Sequence, residues 1–155
     1  DLDETLELPF EVQSKGTRRV QTKQMQLARS AIFRIKVCDC YAHRCCVSRI
    51  QIGTPTGLYE AEAAHVVPLK HGGTDDLRNG IVLTSTLHWA FDHGLFGIGP
   101  DRRVYVPRKV LQTPRNEFLR QFEGKQIAEA TPKSRRVHQD ALGWHFENCV
   151  KQWDQ

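Results

Sequence analysis

Residues 60–96, EAEAAHVVPLKHGGTDDLRNGIVLTSTLHWAFDHGLF, decide the fold of this chain. Two β-branched valines near the start of this stretch are followed by Pro68, which predicts a short strand that ends at the proline. Turn-forming residues fill positions 70–76, and the apolar run at 81–83 has the length of a buried strand. The stretch therefore predicts two short strands joined by a loop.

A short helix is predicted directly after the second strand. Ser85 or Thr86 can cap its first turn, and Gly94 is a typical residue for ending it. His88 and Asp92 are four residues apart on this helix, so their side chains share one face. An imidazole and a carboxylate at this spacing can bind one cation.

Three polar residues stand at defined points of this strand–loop–strand–helix pattern. They are His65, Asn79 and His88, at separations of 14 and 9 residues. Neutral imidazole accepts a proton at physiological pH, so His65 can take a proton from water. Asn79 can fix the loop between the strands, and His88 can hold a divalent cation. Together these residue types suit metal-assisted hydrolysis of a phosphodiester.

The residues around these three positions resemble the HNH endonucleases, whose core is a ββα-metal finger. The resemblance is to a branch found in restriction endonucleases and extends from about residue 26 to residue 150. Its segments are Glu62-Ala63-Ala64-His65, Asn79-Gly80, Leu87-His88, Phe91-Asp92 with Gly94-Leu95, and, outside the core, Cys45-Cys46-Val47-Ser48, Gly124-Lys125 and Ala141-Leu142-Gly143-Trp144-His145.

The resemblance implies a role for each residue of the motif. His65 is expected to be the general base, and Asn79 to fix the loop so that the imidazole points at the scissile phosphate, with direct metal contact by Asn79 as the alternative. His88 is expected to be a metal ligand and Asp92 a second ligand on the same helix. One divalent metal ion is expected as cofactor, with Mg²⁺ favoured over Mn²⁺, Ni²⁺ or Zn²⁺.

The chain departs from the family pattern immediately before the expected base. Many HNH nucleases carry a metal-binding Asp or His there, whereas this chain has Ala64. Either His88, Asp92 and water molecules complete the metal shell, or Glu62 or Asn79 contributes to it. On a regular strand Glu62 faces away from His65, because the two are three residues apart.

The distribution of charge predicts DNA as the partner. The net charge is +4, and residues 12–58 contain nine Lys or Arg but only one acidic residue. Basic residues near the expected finger are predicted to contact phosphates without reading sequence. Those residues are Arg78, the foremost candidate, with Lys70, His71, Arg102 and Arg103.

The length of 155 residues fits one α+β domain. Residues 1–21 are interpreted as a polar N-terminal extension or linker, and residues 22–155 as a single HNH nuclease domain that is part of a longer protein. Since a single finger cuts one strand, a homodimer or a fused targeting domain is a further expectation. No apolar run approaches the ~20 residues of a membrane span, which predicts no membrane partner.

The five cysteines lack the two spaced pairs of a structural zinc site. Reduced thiols and a cytoplasmic location are therefore expected.

Further elements are predicted around the finger. A helix is expected at 22–41, where Met25, Ala28, Ile32 and Ile35 stand at near-helical spacing. An extra β-hairpin is expected at 95–106, and further helices at 113–122 and 136–153.

Taken together, the sequence predicts a metal-dependent HNH endonuclease that hydrolyses DNA in restriction or another defence role. One alternative is a DNA-binding module that keeps a degenerate finger without turnover. Another is an RNase or toxin with the same finger. The intact His65 favours the nuclease, because a module without turnover is free to lose its base.

Overall fold

The computed structural model describes residues 8–14 and 22–155 of the chain. Most of the predicted extension at 1–21 lies outside these residues. Its described part packs on the rest of the chain, since Gln13 donates a hydrogen bond to the His71 carbonyl and the Ser14 amide donates to the Gly72 carbonyl.

The predicted mixed α+β architecture is confirmed. Two antiparallel pairs of strands are surrounded by helices, several of them short or continued by single 3₁₀ turns. The elements are α1 (Lys23–Cys40), β1 (Glu62–His65), β2 (Gly80–Leu83), α2 (Ser85–Asp92), β3 (Gly97–Ile98), β4 (Val104–Tyr105), α3 (Arg108–Leu111), α4 (Glu117–Arg120) and α5 (Gln139–His145).

The predicted finger is formed by β1, β2 and α2. The two strands pair in antiparallel register, with Glu62 opposite Leu83 and His65 opposite Gly80. All of β2 is buried, which explains its uninterrupted apolar sequence. A Cβ on Gly80 would lie 2.6 Å from Val37 Cγ2, so glycine lets α1 pack directly on the strand pair.

The first turn of α2 is capped differently from the prediction. The prediction that Ser85 or Thr86 caps the helix is wrong, because the helix begins at Ser85 and its amide donates to the Glu60 carboxylate at 2.9 Å. Gly94 follows the helix with a φ of 69°, and a Cβ there would meet the Cys149 carbonyl at 2.0 Å. The end of α2 is thereby fixed against residues 139–153, the C-terminal helical segment.

The helix predicted at 22–41 is present as α1, but the apolar residues that indicated it do not form its buried face. Met25, Ile32 and Ile35 are exposed, whereas Phe33 and Val37 of the adjacent face are buried. The helix carries two apolar faces, and Phe33 and Val37 are the residues that reach the finger at Gly80. Helical spacing alone does not distinguish these faces.

The predicted hairpin at 95–106 is present as β3 and β4. The helix predicted at 113–122 is instead a 3₁₀ turn, Pro114–Asn116, followed by α4. The last predicted helix begins at Gln139 rather than 136 and continues from α5 through a π-helical turn, Phe146–Val150.

All five cysteines are free thiols. No helix of the described residues is both long enough and apolar enough to cross a membrane.

Candidate active site

A cleft of about 630 Å³ lies between α1, the finger and the C-terminal helical segment. It brings together five of the residues predicted from sequence and several that were not. The predicted residues are His65, Lys70, His71, His88 and Asp92, and Glu62, the alternative metal ligand, joins them. The additional polar residues are Ser30, Arg34, His145 and Cys149.

His65 is held on two sides at the edge of the cleft. Its ring stacks on Phe33, with centroids 3.9 Å apart and an interplanar angle of 8°. Its Nε2 lies 2.8 Å from Asp75 Oδ1. Because a carboxylate only accepts, the shared proton is on Nε2 and the neutral ring keeps its lone pair on Nδ1. The ring is therefore fixed in one orientation and one tautomer.

Asn79 is fully buried and all its side-chain hydrogen bonds go to the loop between the strands. Its Oδ1 accepts from the Val67 amide at 2.9 Å, and its Nδ2 donates to the carbonyls of Val67 and Thr74. The amide clamps the start of the loop to its end, close to Asp75. Its position indicates loop fixation rather than metal contact, because no side-chain polar atom of Asn79 is left free to reach a cation.

His88 lies between two carboxylates. Its Nδ1 donates to Glu62 Oε1 at 2.9 Å, and its Nε2 lies 3.4 Å from Asp92 Oδ2. Strand alternation predicts that Glu62 does not contact His65. Its hydrogen-bond partner is instead His88, which lines the cleft. With a proton on Nδ1, the neutral ring directs its Nε2 lone pair towards a carboxylate, which is unfavourable unless a positive charge lies between the two atoms.

The His88–Asp92 pair fits a divalent cation. Donor atoms 3.4 Å apart can both contact one cation at the usual bond lengths of about 2.0–2.2 Å. Among residues 8–14 and 22–155, no group of three or more His, Cys, Asp or Glu side chains is arranged around a metal position. A cation held by these two side chains would leave its other coordination positions to phosphate and water.

Two of the five predicted phosphate contacts line the cleft. Lys70 is exposed there and makes no ion pair with the described residues, and His71 lies beside it with its ring 5.7 Å from that of Trp144.

Two of the three arginines predicted to contact phosphate are ion-paired with internal carboxylates. Arg78 forms a two-bonded ion pair with Asp76, its Nη2 also donates to the Leu8 carbonyl, and its side chain is only 14% exposed. Arg102 binds both carboxylate oxygens of Glu129 at 2.7 Å, and this pairing raises its pKa. Each guanidinium is thus held by an internal carboxylate, and the phosphate contacts of Arg78 and Arg102 stay predictions.

Arg103 lies outside the main cleft. Its Nη1 donates to the Gly124 carbonyl at 3.0 Å, and it lines a second cleft of about 560 Å³ together with Arg49 and Lys125. The predicted contact of Arg103 with nucleic acid therefore belongs to a separate basic surface.

Sequence reasoning missed Asp75 and Arg34. Asp75 stands in a run of turn formers, so it was interpreted only as part of a loop. Arg34 projects from α1 into the cleft and makes no ion pair with the described residues. A correct assignment of the buried face of α1 would have placed Arg34, next to Phe33, at the border of the site.

The floor of the cleft, at His145 and Cys149, is uncharged near neutral pH. Burial lowers the pKa of His145 to about 4, and its Nε2 donates to the Phe91 carbonyl at 2.8 Å while its ring stacks on Phe91. Burial raises the pKa of the Cys149 thiol, so this group also stays neutral. The charges that face a substrate therefore come from the cleft walls.

Comparison with known proteins agrees with this geometry. Residues 45–99 match the family model described as HNH endonuclease. This match confirms, over these residues, the resemblance to the HNH endonucleases that the sequence predicted.

A solved structure, the modification dependent TagI restriction endonuclease, is 25% identical and superimposes with a TM-score of 0.60. The match covers 85% of this chain and 39% of that one. No curated protein matches the chain.

Proposed function

We propose that this chain is a divalent-metal-dependent endonuclease that hydrolyses phosphodiester bonds of DNA. The observation that carries the proposal is the convergence on one cleft of an oriented imidazole, His65, and a separate imidazole–carboxylate pair, His88 and Asp92. The family match and the restriction endonuclease among its structural neighbours support a role in restriction or another defence process.

His65 acts as the general base in this proposal. Its Nδ1 accepts a proton from the attacking water, and the resulting imidazolium is stabilised by the Asp75 carboxylate at Nε2. Phe33 prevents the ring from turning away, because the two rings stack in parallel. A positioned base of this kind contributes about 10²- to 10⁴-fold to the rate.

His88 and Asp92 hold the metal ion, and Asn79 and Glu62 act as positioning residues. When bound, a divalent cation neutralises the charge that develops on the phosphate and on the leaving 3′ oxygen. Glu62 fixes the His88 ring by accepting a hydrogen bond from its Nδ1, an arrangement common around metal-bound histidine. The mixed nitrogen and oxygen donors are compatible with Mg²⁺, and also with Mn²⁺, Ni²⁺ or Zn²⁺.

Arg34 and Lys70 bind the phosphates that flank the scissile bond. They reach the cleft from α1 and from the loop after β1, on either side of His65 in sequence. Both contact points carry a full positive charge, so they add affinity that falls with salt and does not depend on base sequence.

The test is cleavage of supercoiled plasmid in the presence of Mg²⁺, Mn²⁺, Ni²⁺, Zn²⁺ or EDTA. We expect nicking that requires a metal ion and is abolished by His65→Ala, while DNA binding is retained. His43→Ala is the matched control, because His43 is a partly exposed histidine outside the cleft and should cleave normally. Cleavage by His65→Ala at the wild-type rate would refute the assignment of the base.

The products and substrates discriminate between the alternatives. Nicked circles indicate a monomer acting on one strand, whereas linear product formed without accumulation of nicked circles indicates two cooperating copies. Plasmid with and without modified bases tests whether the modification dependence named for the TagI enzyme applies here. Efficient cleavage of RNA but not DNA would favour the RNase alternative, and binding without cleavage under any metal would favour the DNA-binding module.

A further inference from the structure

An exposed tryptophan lies on α2 next to the proposed metal ligands, outside the residues that line the cleft. Trp89 follows His88 on α2 and precedes Asp92 by three residues, and it is 61% exposed. Since successive helix residues are about 100° apart, Trp89 lies beside the face that carries His88 and Asp92. The buried residues of the same helix, Leu87 and Phe91, lie on the other side.

The indole is fixed in place although it is exposed. Its ring stacks on His93, with centroids 4.1 Å apart and an interplanar angle of 27°. His93 Nδ1 donates to the Trp89 carbonyl at 2.7 Å, and the Trp153 indole nitrogen donates to the His93 carbonyl at 3.1 Å. One face of the Trp89 ring is therefore supported by His93, and most of the side chain remains open to solvent.

We propose that Trp89 is a stacking platform for a nucleobase of the substrate strand, next to the scissile phosphate. This inference rests on the proposed function, because it places the bound phosphate at His88 and Asp92 on the same helix. A nucleobase offers a flat π-face that matches an exposed indole, and such stacking is independent of base identity. Trp89 carries no charge, so it complements the phosphate contacts of Arg34 and Lys70.

The platform selects a nucleotide whose base is unstacked. In a regular duplex both faces of each base are covered by its neighbours, and exposing one costs a few kcal/mol. This cost is absent in a single strand and is lower at a nick or a distorted site. The expected substrate is therefore a strand with an unstacked nucleotide at the cleavage position, and an intact duplex must be distorted locally before it is cut.

The experiment measures the affinity for a fluorescein-labelled single-stranded oligonucleotide and for its duplex by anisotropy, in EDTA so that no cleavage occurs. Trp89→Ala should raise the Kd for the single strand by about 5- to 150-fold, which corresponds to the loss of one stacked base. Trp89→Phe should retain most of the affinity. The dependence of Kd on salt should not change, because no charge is removed.

Phe118→Ala is the matched control. Phe118 is 50% exposed on α4 and does not line the cleft, so its loss should leave both affinities unchanged. An unchanged Kd for Trp89→Ala, together with an unchanged KM for plasmid cleavage, would overturn the proposal. A change in sedimentation of Trp89→Ala without a change in DNA affinity would also overturn it, since the ring would then be a protein contact.

The failure of this inference is separable from failure of the nuclease assignment. The binding measurement needs no turnover, so a stacking platform is detected even if no metal supports cleavage. Conversely, metal- and His65-dependent cleavage with normal affinity in Trp89→Ala would retain the nuclease and exclude the platform.

Discussion

Replacing Asp75 by asparagine tests the proposed base with the smallest change in shape. The carboxylate lies 2.8 Å from His65 Nε2, and the His65 and Asp75 side chains are 18% and 25% exposed. The substitution removes one negative charge beside the imidazolium that forms when His65 accepts a proton. A hydrogen bond to a charged group contributes roughly 1.5–3 kcal/mol, so its loss should lower kcat by about 10- to 150-fold.

The side chain introduced by Asp75→Asn has two orientations with different consequences. If its amide oxygen still accepts from Nε2 of His65, only the charge is lost and the smaller effect applies. If its amide nitrogen donates to Nε2 instead, the proton moves to Nδ1 and the base itself is blocked. The loss then approaches the whole contribution of a general base, about 10²- to 10⁴-fold.

Two measurements separate these cases. Single-turnover cleavage at saturating metal gives the chemical step, and ¹⁵N NMR of the His65 ring in metal-free protein gives the tautomer. Asp76→Asn is the matched control, because the Asp76 carboxylate holds Arg78 and does not touch His65. The control should lose stability and keep the His65 tautomer. A wild-type cleavage rate in Asp75→Asn with an unchanged tautomer would refute the role of Asp75.

Three further predictions concern the proposed metal ligands, the loop between β1 and β2, and His145 in the cleft. Glu62→Gln should weaken Mn²⁺ binding about 10- to 100-fold, measured by calorimetry, because the His88 ring loses its carboxylate partner. An unchanged Mn²⁺ affinity would contradict the proposed role of Glu62 in positioning His88. Asn79→Ala should lower the free energy of unfolding by about 2–5 kcal/mol in urea, since it leaves buried backbone groups such as the Val67 amide unsatisfied. The pKa of His145 is about 4 in the folded state and near 6.5 in the unfolded state, so the unfolded state binds more protons between these two values. The free energy of unfolding therefore falls as the pH drops through this window, by up to about 3 kcal/mol. His145→Gln should flatten this dependence in urea titrations at several pH values, and an equal slope in the variant would assign the loss to other groups.

The finger was predictable from sequence because its signals are local. Each strand is bounded by a proline, a glycine or a turn-rich loop within a few residues, and the helix that follows is short. The polar residues of the motif are placed by the same local elements. Once β1, β2 and α2 form, the strand pairing and the helix direction fix where His65, Asn79 and His88 project.

The packing of α1 was not predictable in the same way. Periodicity predicted the helix, but it did not indicate that Phe33 and Val37 are the residues it buries. The choice depends on a residue far away in sequence, Gly80, whose missing side chain makes room for Phe33 and Val37. The same choice places Arg34 in the cleft.

The roles of charged residues depended on partners that the sequence does not reveal. Arg102 is paired with Glu129 across 27 residues, so an internal carboxylate holds its guanidinium. Asp75 pairs with His65 across 10 residues through a loop without periodicity. The charge of a residue is read directly from the sequence, but its partner depends on the tertiary fold.

The alanine before the proposed base is explained by the geometry of β1. Ala64 is 1% exposed and does not line the cleft, so this chain has no side chain there to contact a cation. Residues two apart on a strand share a face, which places Glu62 on the same face as Ala64. From that position its carboxylate binds the imidazole of His88. The negative charge of Glu62 thus lies near His88 and Asp92, and in the proposed mechanism it acts through His88, the proposed metal ligand.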